Sequence, residues 1–302
     1  MSFHHRPSYQ RWLISVFIWP LEAAGLFLLI GLIKLMPRRT ASAVMGWLLK
    51  TIGPKTRWQK RSYDHLSFAL PHLSEAEKST ILIDMWDNLG RNIGEYFHLG
   101  SLLRSPDLTI SGLEHIDSEK GGFLISGHFG NWEIVPLCLH FLKQSGGLIY
   151  RPMNNPIASR VFKHRLSDNK ITGFEKGREG ALGMLRVIKN GGLMALLTDQ
   201  TLREGVDIPF FGQDVPTATS HLKLAAKTGV PIYFVRSQRV SGAKHLVKIH
   251  PPLYIEQDAD TDKFTAHAED MNKIFEGWIE ETPSQWLWPH RRWGKSLSKT
   301  SK

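Results

Sequence analysis

Phe123-Leu-Ile-Ser-Gly-His128-Phe-Gly-Asn-Trp-Glu133 is the stretch on which the reading of the fold turns. Phe123 to Ser126 is a short apolar run behind Gly121-Gly122, the length of a buried strand. Residues 131–143 after it carry apolar side chains at helical spacing, with Asn131 as the expected N-cap. A strand feeds a tight loop, and the loop feeds a helix. On a regular helix His128 and Glu133 would stand about 140° apart, so they can meet only where the intervening backbone is not helical. Gly127 and Gly130 permit such a turn. An imidazole and a carboxylate are thereby expected at the carboxyl end of a strand, where open α/β sheets place their ligands, with the helix dipole keeping Glu133 ionised.

Spacing alone carries little. With 14 His and 28 acidic residues in 302 positions, a His followed five residues later by an acid is expected about once by chance. The other occurrence, His72 and Glu77, lies in Pro71-His-Leu-Ser-Glu-Ala-Glu77, where Ser74 and Glu77 form a helix-start capping box and no strand delivers the histidine to a pocket. His128 differs from it by its strand, its glycines and its Asn-Trp-Glu continuation.

Outward from this unit, apolar strand-length runs alternate with amphipathic helical stretches. Leu108-Thr-Ile110, 147–151, 193–198, 231–236 and 245–250 read as strands. Residues 74–104, 157–169, 180–189, 217–228 and 262–281 read as helices, and 208–212 as a turn. Such alternation predicts an α/β fold, a mainly parallel sheet covered by helices on both faces. Residues 12–36 are nearly continuous apolar sequence, long enough to cross a hydrocarbon core of about 30 Å. Pro20, Glu22 and Lys34 interrupt the stretch, so it can span with a kink, re-enter, or lie along the interface. More basic residues follow it than precede it, which places the body on the cytoplasmic side. The expected division is an anchor over 1–40 and a catalytic domain over 41–302.

The 38 Lys and Arg against 28 Asp and Glu give a net charge of +10, which favours an anionic partner. Cys138 is the only cysteine, so no internal disulfide is possible, and its place on an apolar helix face predicts a buried thiol. A histidine oriented by a carboxylate is the general-base half of acyl transfer. There is no Gly-x-Ser-x-Gly elbow and no Walker or dinucleotide glycine loop, so direct attack by a substrate hydroxyl on a bound acyl donor fits the residues best. No metal is expected, because His128 and Glu133 have no Cys or second His at ligand spacing nearby, and no cofactor is called for. Asp199-Gln200 also follows a strand, which makes both candidates for substrate contact rather than simple loop capping. Arg151 and Arg178 are candidates for phosphate, which a guanidinium grips bidentately. Trp286, Trp288 and Trp293 with Arg291 and Arg292 read as a core plug with a solvated rim.

The motif His128-Phe-Gly-Asn-Trp-Glu133 resembles the His-x4-Asp/Glu motif of the lipid A late acyltransferases, the lauroyl/myristoyl acyltransferase family. The likeness extends to Tyr150-Arg-Pro with Asn155-Pro, Lys176-Gly-Arg-Glu-Gly-Ala181, Thr198-Asp-Gln200, Pro209-Phe-Phe-Gly212 and Gln285-Trp-Leu-Trp-Pro-His-Arg-Arg-Trp293. It implies a glycerophosphate-acyltransferase-like αβα sandwich with an N-terminal membrane helix at the cytoplasmic face of the bacterial inner membrane. It implies an acyl carrier protein thioester as donor and a phosphorylated glycolipid such as a lipid A precursor as acceptor, with no nucleic-acid partner. His128 is then the base, Glu133 its partner, and Arg165 the arginine near the carbonyl oxyanion, with Asn131, Arg151, Arg178, Asp199 and Gln200 against substrate. Another membrane lipid as acceptor, a thioester hydrolase using the same residues on water, and a non-catalytic basic surface protein are the rival readings.

Overall fold

The computed structural model describes residues 8–117, 119–142, 145–159, 171–202, 204–257 and 261–294. The chain opens with helices α1 (Ser8–Leu13), α2 (Trp19–Leu35), α3 (Arg38–Ile52), α4 (Arg57–Ala69), α5 (Glu75–Tyr96) and α6 (Leu99–Leu102). Strand β1 (Leu108–Ser111) and β2 (Gly122–Ser126) follow, then α7 (Cys138–Leu142), β3 (Gly146–Tyr150), β4 (Ile171–Glu175) and α8 (Arg178–Lys189). The remainder is β5 (Leu193–Leu197), the hairpin β6 (Val206–Phe210) and β7 (Gln213–Thr217), α9 (Ser220–Thr228), β8 (Ile232–Ser241), β9 (Lys244–Ile249) and α10 (Thr261–Glu281).

Among the described residues, seven strands form one sheet in the order β1-β9-β8-β2-β5-β3-β4, parallel throughout except for β8 against β9. Its strands are apolar on both faces because both faces are covered. Phe123 and Ile125 of β2, Met194 of β5 and Ile232 and Phe234 of β8 point into one core, with α5, α8, α9 and α10. Leu124, Leu193, Ala195, Tyr233 and Val235, one residue out of step, point into the other, with α6 and the segment 134–139. The period of two along each strand thus builds the αβα layering expected from the alternation of elements. The tail Trp286, Trp288 and Trp293 is buried in the first core as a plug. Arg292 corrects the expected rim: it is fully buried, its guanidinium lies over Phe210 and donates to Thr217 and Asn272, and desolvation lowers its pKa to about 10. Cys138 is buried, and desolvation pushes its thiol up to about 12.

Several boundaries differ from the reading of the sequence. The helical stretch 74–104 is α5 and the short α6, and the turn at 208–212 belongs to the β6–β7 hairpin. The stretch after Glu133 is not one amphipathic helix. Pro136 falls inside it, and the chain runs as a 3-10 helix from Trp132 to Leu137 before the single turn of α7. The capping box of Ser74 and Glu77 is present at the start of α5, and His72 is exposed. The helix expected over 157–169 lies largely outside the described residues, and Arg165 with it. The boundary expected at residue 40 falls in the first turn of α3. That helix packs closely along α5: a Cβ on Gly94 would stand 2.3 Å from the carbonyl oxygen of Ala41.

Candidate active site

His128 leaves the carboxyl end of β2 on a non-helical loop. Gly130 sits at φ +52°, and a side chain there would meet the carbonyl oxygen of Ser237 at 2.4 Å, so the turn requires glycine. The loop is clamped from three sides. The carbonyl of Gly130 accepts from Asn88 Nδ2 at 3.0 Å and Asn92 Nδ2 at 2.6 Å, and its N–H donates to Gln285 O at 2.9 Å. Ser237 Oγ donates to the carbonyl of Asn131. Asn131 itself is fully buried and donates to Glu95 Oε2 at 2.8 Å, so it neither caps the following helix nor faces substrate. Its amide is held by a stronger acceptor, a buried carboxylate, and its part is to fix the loop.

Glu95 organises that clamp. It is completely buried and accepts from Ser42, Asn131, His245 and Arg239. Burial works to raise its pKa, but the hydrogen bond from His245 and the charge of Arg239 outweigh burial and hold the carboxyl well below the usual range. Arg239 fans out further to Asn88 Oδ1 and Asn92 Oδ1. Asn88, Asn92 and Glu95 share one face of α5 at i, i+4 and i+7, a polar stripe in an apolar helix that marks the network in the sequence.

The nitrogen of His128 that the sequence reading gives to Glu133 belongs to Asp199. Nδ1 lies 2.8 Å from Asp199 Oδ1, and the backbone N–H of His128 donates to Oδ2 at 2.8 Å. Trp286 Nε1 donates to the same Oδ2 at 2.9 Å. Asp199 follows β5, which pairs with β2, so the parallel sheet brings the two strand ends together. Burial alone would raise the pKa of Asp199, but the charge and hydrogen bonds of His128 hold it below the usual carboxylate range. Being a carboxylate, Asp199 only accepts, so Nδ1 of His128 carries the proton and Nε2 is left with its lone pair outward. Glu133 sits half-buried in the 3-10 helix one step along the loop.

Gln200 is exposed, and its Nε2 lies 3.2 Å from Nε2 of His128 and 3.5 Å from Nε2 of His290. His290 stands edge-on to His128 with ring centroids 4.4 Å apart, and the Trp132 ring lies 5.0 Å from His128. Desolvation, then the charge of His128, lowers the pKa of His290 to about 3, so it stays neutral. His290 corrects the expectation of no second histidine nearby: it arrives from the tail rather than by local spacing. His128, Asp199 and His290 offer three ligand atoms within 4.8 Å of one another. Both oxygens of Asp199 already accept N–H donors from His128 and Trp286. Arg151 and Arg178 are exposed at the carboxyl ends of β3 and β4, farther along the same edge, and Arg165 is outside the described residues.

Residues 11–295 match the family of bacterial lipid A biosynthesis acyltransferases. The chain belongs to that family. This acyltransferase is 28% identical over 252 residues to the lipid A biosynthesis lauroyltransferase of Escherichia coli K12, covering 78% of this chain and 79% of that one. It is 26% identical over 247 residues to the lipid A biosynthesis palmitoleoyltransferase of the same organism, 76% of either chain. It is 23% identical over 230 residues to the phosphatidylinositol mannoside acyltransferase of Mycobacterium tuberculosis CDC 1551, 71% of this chain and 70% of that one. Among solved structures, the 1-acyl-sn-glycerophosphate acyltransferase of Thermotoga maritima matches with a TM-score of 0.39 and 16% identity, over 80% of this chain and 97% of that one.

Proposed function

We propose that this acyltransferase moves a fatty acyl chain from an acyl carrier protein thioester to a hydroxyl of a phosphorylated lipid A precursor, working on the cytoplasmic face of the bacterial inner membrane. The observation that carries the reading is the Asp199–His128 pair with Nε2 of His128 turned outward. The Gln200 amide nitrogen 3.2 Å away occupies the place where an acceptor O–H would donate. Nε2 takes the hydroxyl proton as that oxygen attacks the thioester carbonyl, and Asp199 balances the imidazolium that forms. The tetrahedral intermediate collapses with loss of thiolate, which takes the proton back from Nε2, so atoms and charge balance and the enzyme is unchanged. Arg165 is proposed to face the oxyanion and Glu133 to act beside the base from the same loop.

The acceptor phosphates are assigned to Arg151 and Arg178. These lie two and three strands from β2, hence on the order of 10 and 14 Å along the edge at the usual strand spacing. Residues 1–40 are proposed as the membrane anchor, and among the described residues the helical stretch Ile14–Leu35 is long and apolar enough to cross a bilayer. The test is mass spectrometry of lipid A from cells with and without this gene. Loss of one acyl chain supports the acceptor, and unchanged lipid A rejects it.

A further inference from the structure

The apolar helix α2 is fastened to the body at both of its ends. At its start, the buried Asn155 donates through Nδ2 to Trp19 O at 2.9 Å and Glu22 Oε2 at 3.3 Å. At its end, His98 Nε2 donates to Ile33 O at 2.9 Å. Immediately beyond, Arg38 donates to Ala243 O at 2.9 Å, and Arg38 and Arg39 both pair with Asp107. Asn155 belongs to the loop leaving the carboxyl end of β3. Ala243 lies in the β8–β9 turn and Asp107 just before β1, both at the same edge of the sheet.

The strand order β1-β9-β8-β2-β5-β3 puts His128 and Asp199, on β2 and β5, between these two attachments. Seventeen helical residues measure about 25 Å, and the five strand steps from β1 to β3 about 24 Å. Helix α2 therefore lies across the catalytic edge. Its burial pattern agrees: Ala23, Ile30 and Ile33 are buried and Leu26 and Leu29 half-buried, a stripe of helical period. The opposite face is apolar too and is open, with Leu21 76%, Leu28 67% and Leu35 84% exposed.

We propose that α2 does not cross the bilayer but lies in the plane of one leaflet, seating the carboxyl edge of the sheet against the lipid so that substrates reach His128 from beneath it. The inference rests on the membrane reading above and fixes its geometry. A helix tied lengthwise to the body cannot stand across a bilayer without drawing Glu22, Asn155 and the Arg38–Asp107 pair into hydrocarbon, where no water replaces the hydration these polar groups lose. Lying flat, it buries its outer face in the headgroup–acyl boundary while Lys34 and Arg39 meet anionic headgroups.

Leu21, Leu28 and Leu35 are seven residues apart and share the outer face. The full chain carrying Leu21→Cys, Leu28→Cys or Leu35→Cys can be labelled singly with an environment-sensitive fluorophore, because Cys138 is buried. In vesicles containing phosphatidylglycerol and lipids brominated at shallow or deep positions, all three labels are expected to be quenched alike, most strongly by the shallow bromines. A label at 28 near the bilayer centre with 21 and 35 shallow would show a spanning helix and overturn this inference while leaving the proposed function intact. A chain that does not sediment with the vesicles overturns both this inference and the membrane reading.

Discussion

Asp199 Oδ1 stands 2.8 Å from Nδ1 of His128 although 71 residues separate them, and two parallel strand ends make the contact. The pairing fixes the tautomer that leaves Nε2 with its lone pair, and the carboxylate on Nδ1 comes from the neighbouring strand rather than from the short motif.

If Nε2 of His128 removes the acceptor proton, His128→Ala is expected to lower turnover by about 10²–10⁴, the usual worth of a general base. The exposed His72, which has the same spacing to an acid, serves as control: His72→Ala is expected to keep the wild-type rate. Purified enzyme with labelled thioester and lipid acceptor measures both.

Much of this was legible from residue order. Phe123, Leu124 and Ile125 are buried on both faces of the sheet and therefore all apolar, the glycines after them mark a turn, and Asp199 is visible as an acid at a strand end. The partner of Nδ1 was not, because local spacing reports neighbours within one loop, whereas the order β2-β5 is decided by how the whole sheet packs. His290 comes from the tail, and no spacing rule links residues 128 and 290. The role of Asn88, Asn92 and Glu95 is not set by their own helix, because burial of a polar stripe depends on Arg239 arriving from β8 to satisfy it. The helix expected after Glu133 failed at Pro136, which favours the tighter 3-10 turn.

Asn92→Leu is expected to free one grip on the Gly130 carbonyl and leave Arg239 short of an acceptor. A cost of about 1–3 kcal/mol in urea unfolding is expected for such unmet buried groups. Because the loop carries the proposed base, kcat is expected to fall with KM little changed. A change in KM alone would count against the positioning role.

Stability is expected to fall as the pH drops from 6.5 towards 4. Burial lowers His65 and His221 from the usual 6.5 to about 4 and His290 to about 3, so the unfolded chain binds protons in this window that the folded chain refuses. Their contribution is full above pH 6.5, and each histidine adds up to ~1.4 kcal/mol of loss per pH unit below it. Asp199 and Glu95, both held below the usual carboxylate range, add their loss only below about pH 4. His221→Leu is expected to flatten the slope by one proton, read from urea midpoints at several pH values.

Arg165→Ala is expected to lower kcat by about 10²–10³ if the guanidinium meets the developing oxyanion, with Arg165→Lys restoring part of the rate. Steady-state kinetics with donor and acceptor varied separately checks this. A rise in KM with kcat unchanged would move Arg165 to the substrate-binding surface.

The most direct measurement compares Asp199→Asn with Glu133→Gln in NMR spectra of enzyme labelled with ¹⁵N-histidine. An asparagine can donate where the carboxylate accepted, so Asp199→Asn is expected to lose the downfield Nδ1–H signal of His128. Turnover is expected to fall with it by about 10³–10⁴, as for a base held in the wrong tautomer. Glu133→Gln is expected to keep that signal whatever its rate. Persistence of the Nδ1–H signal in Asp199→Asn together with its loss in Glu133→Gln would contradict the Asp199–His128 relay.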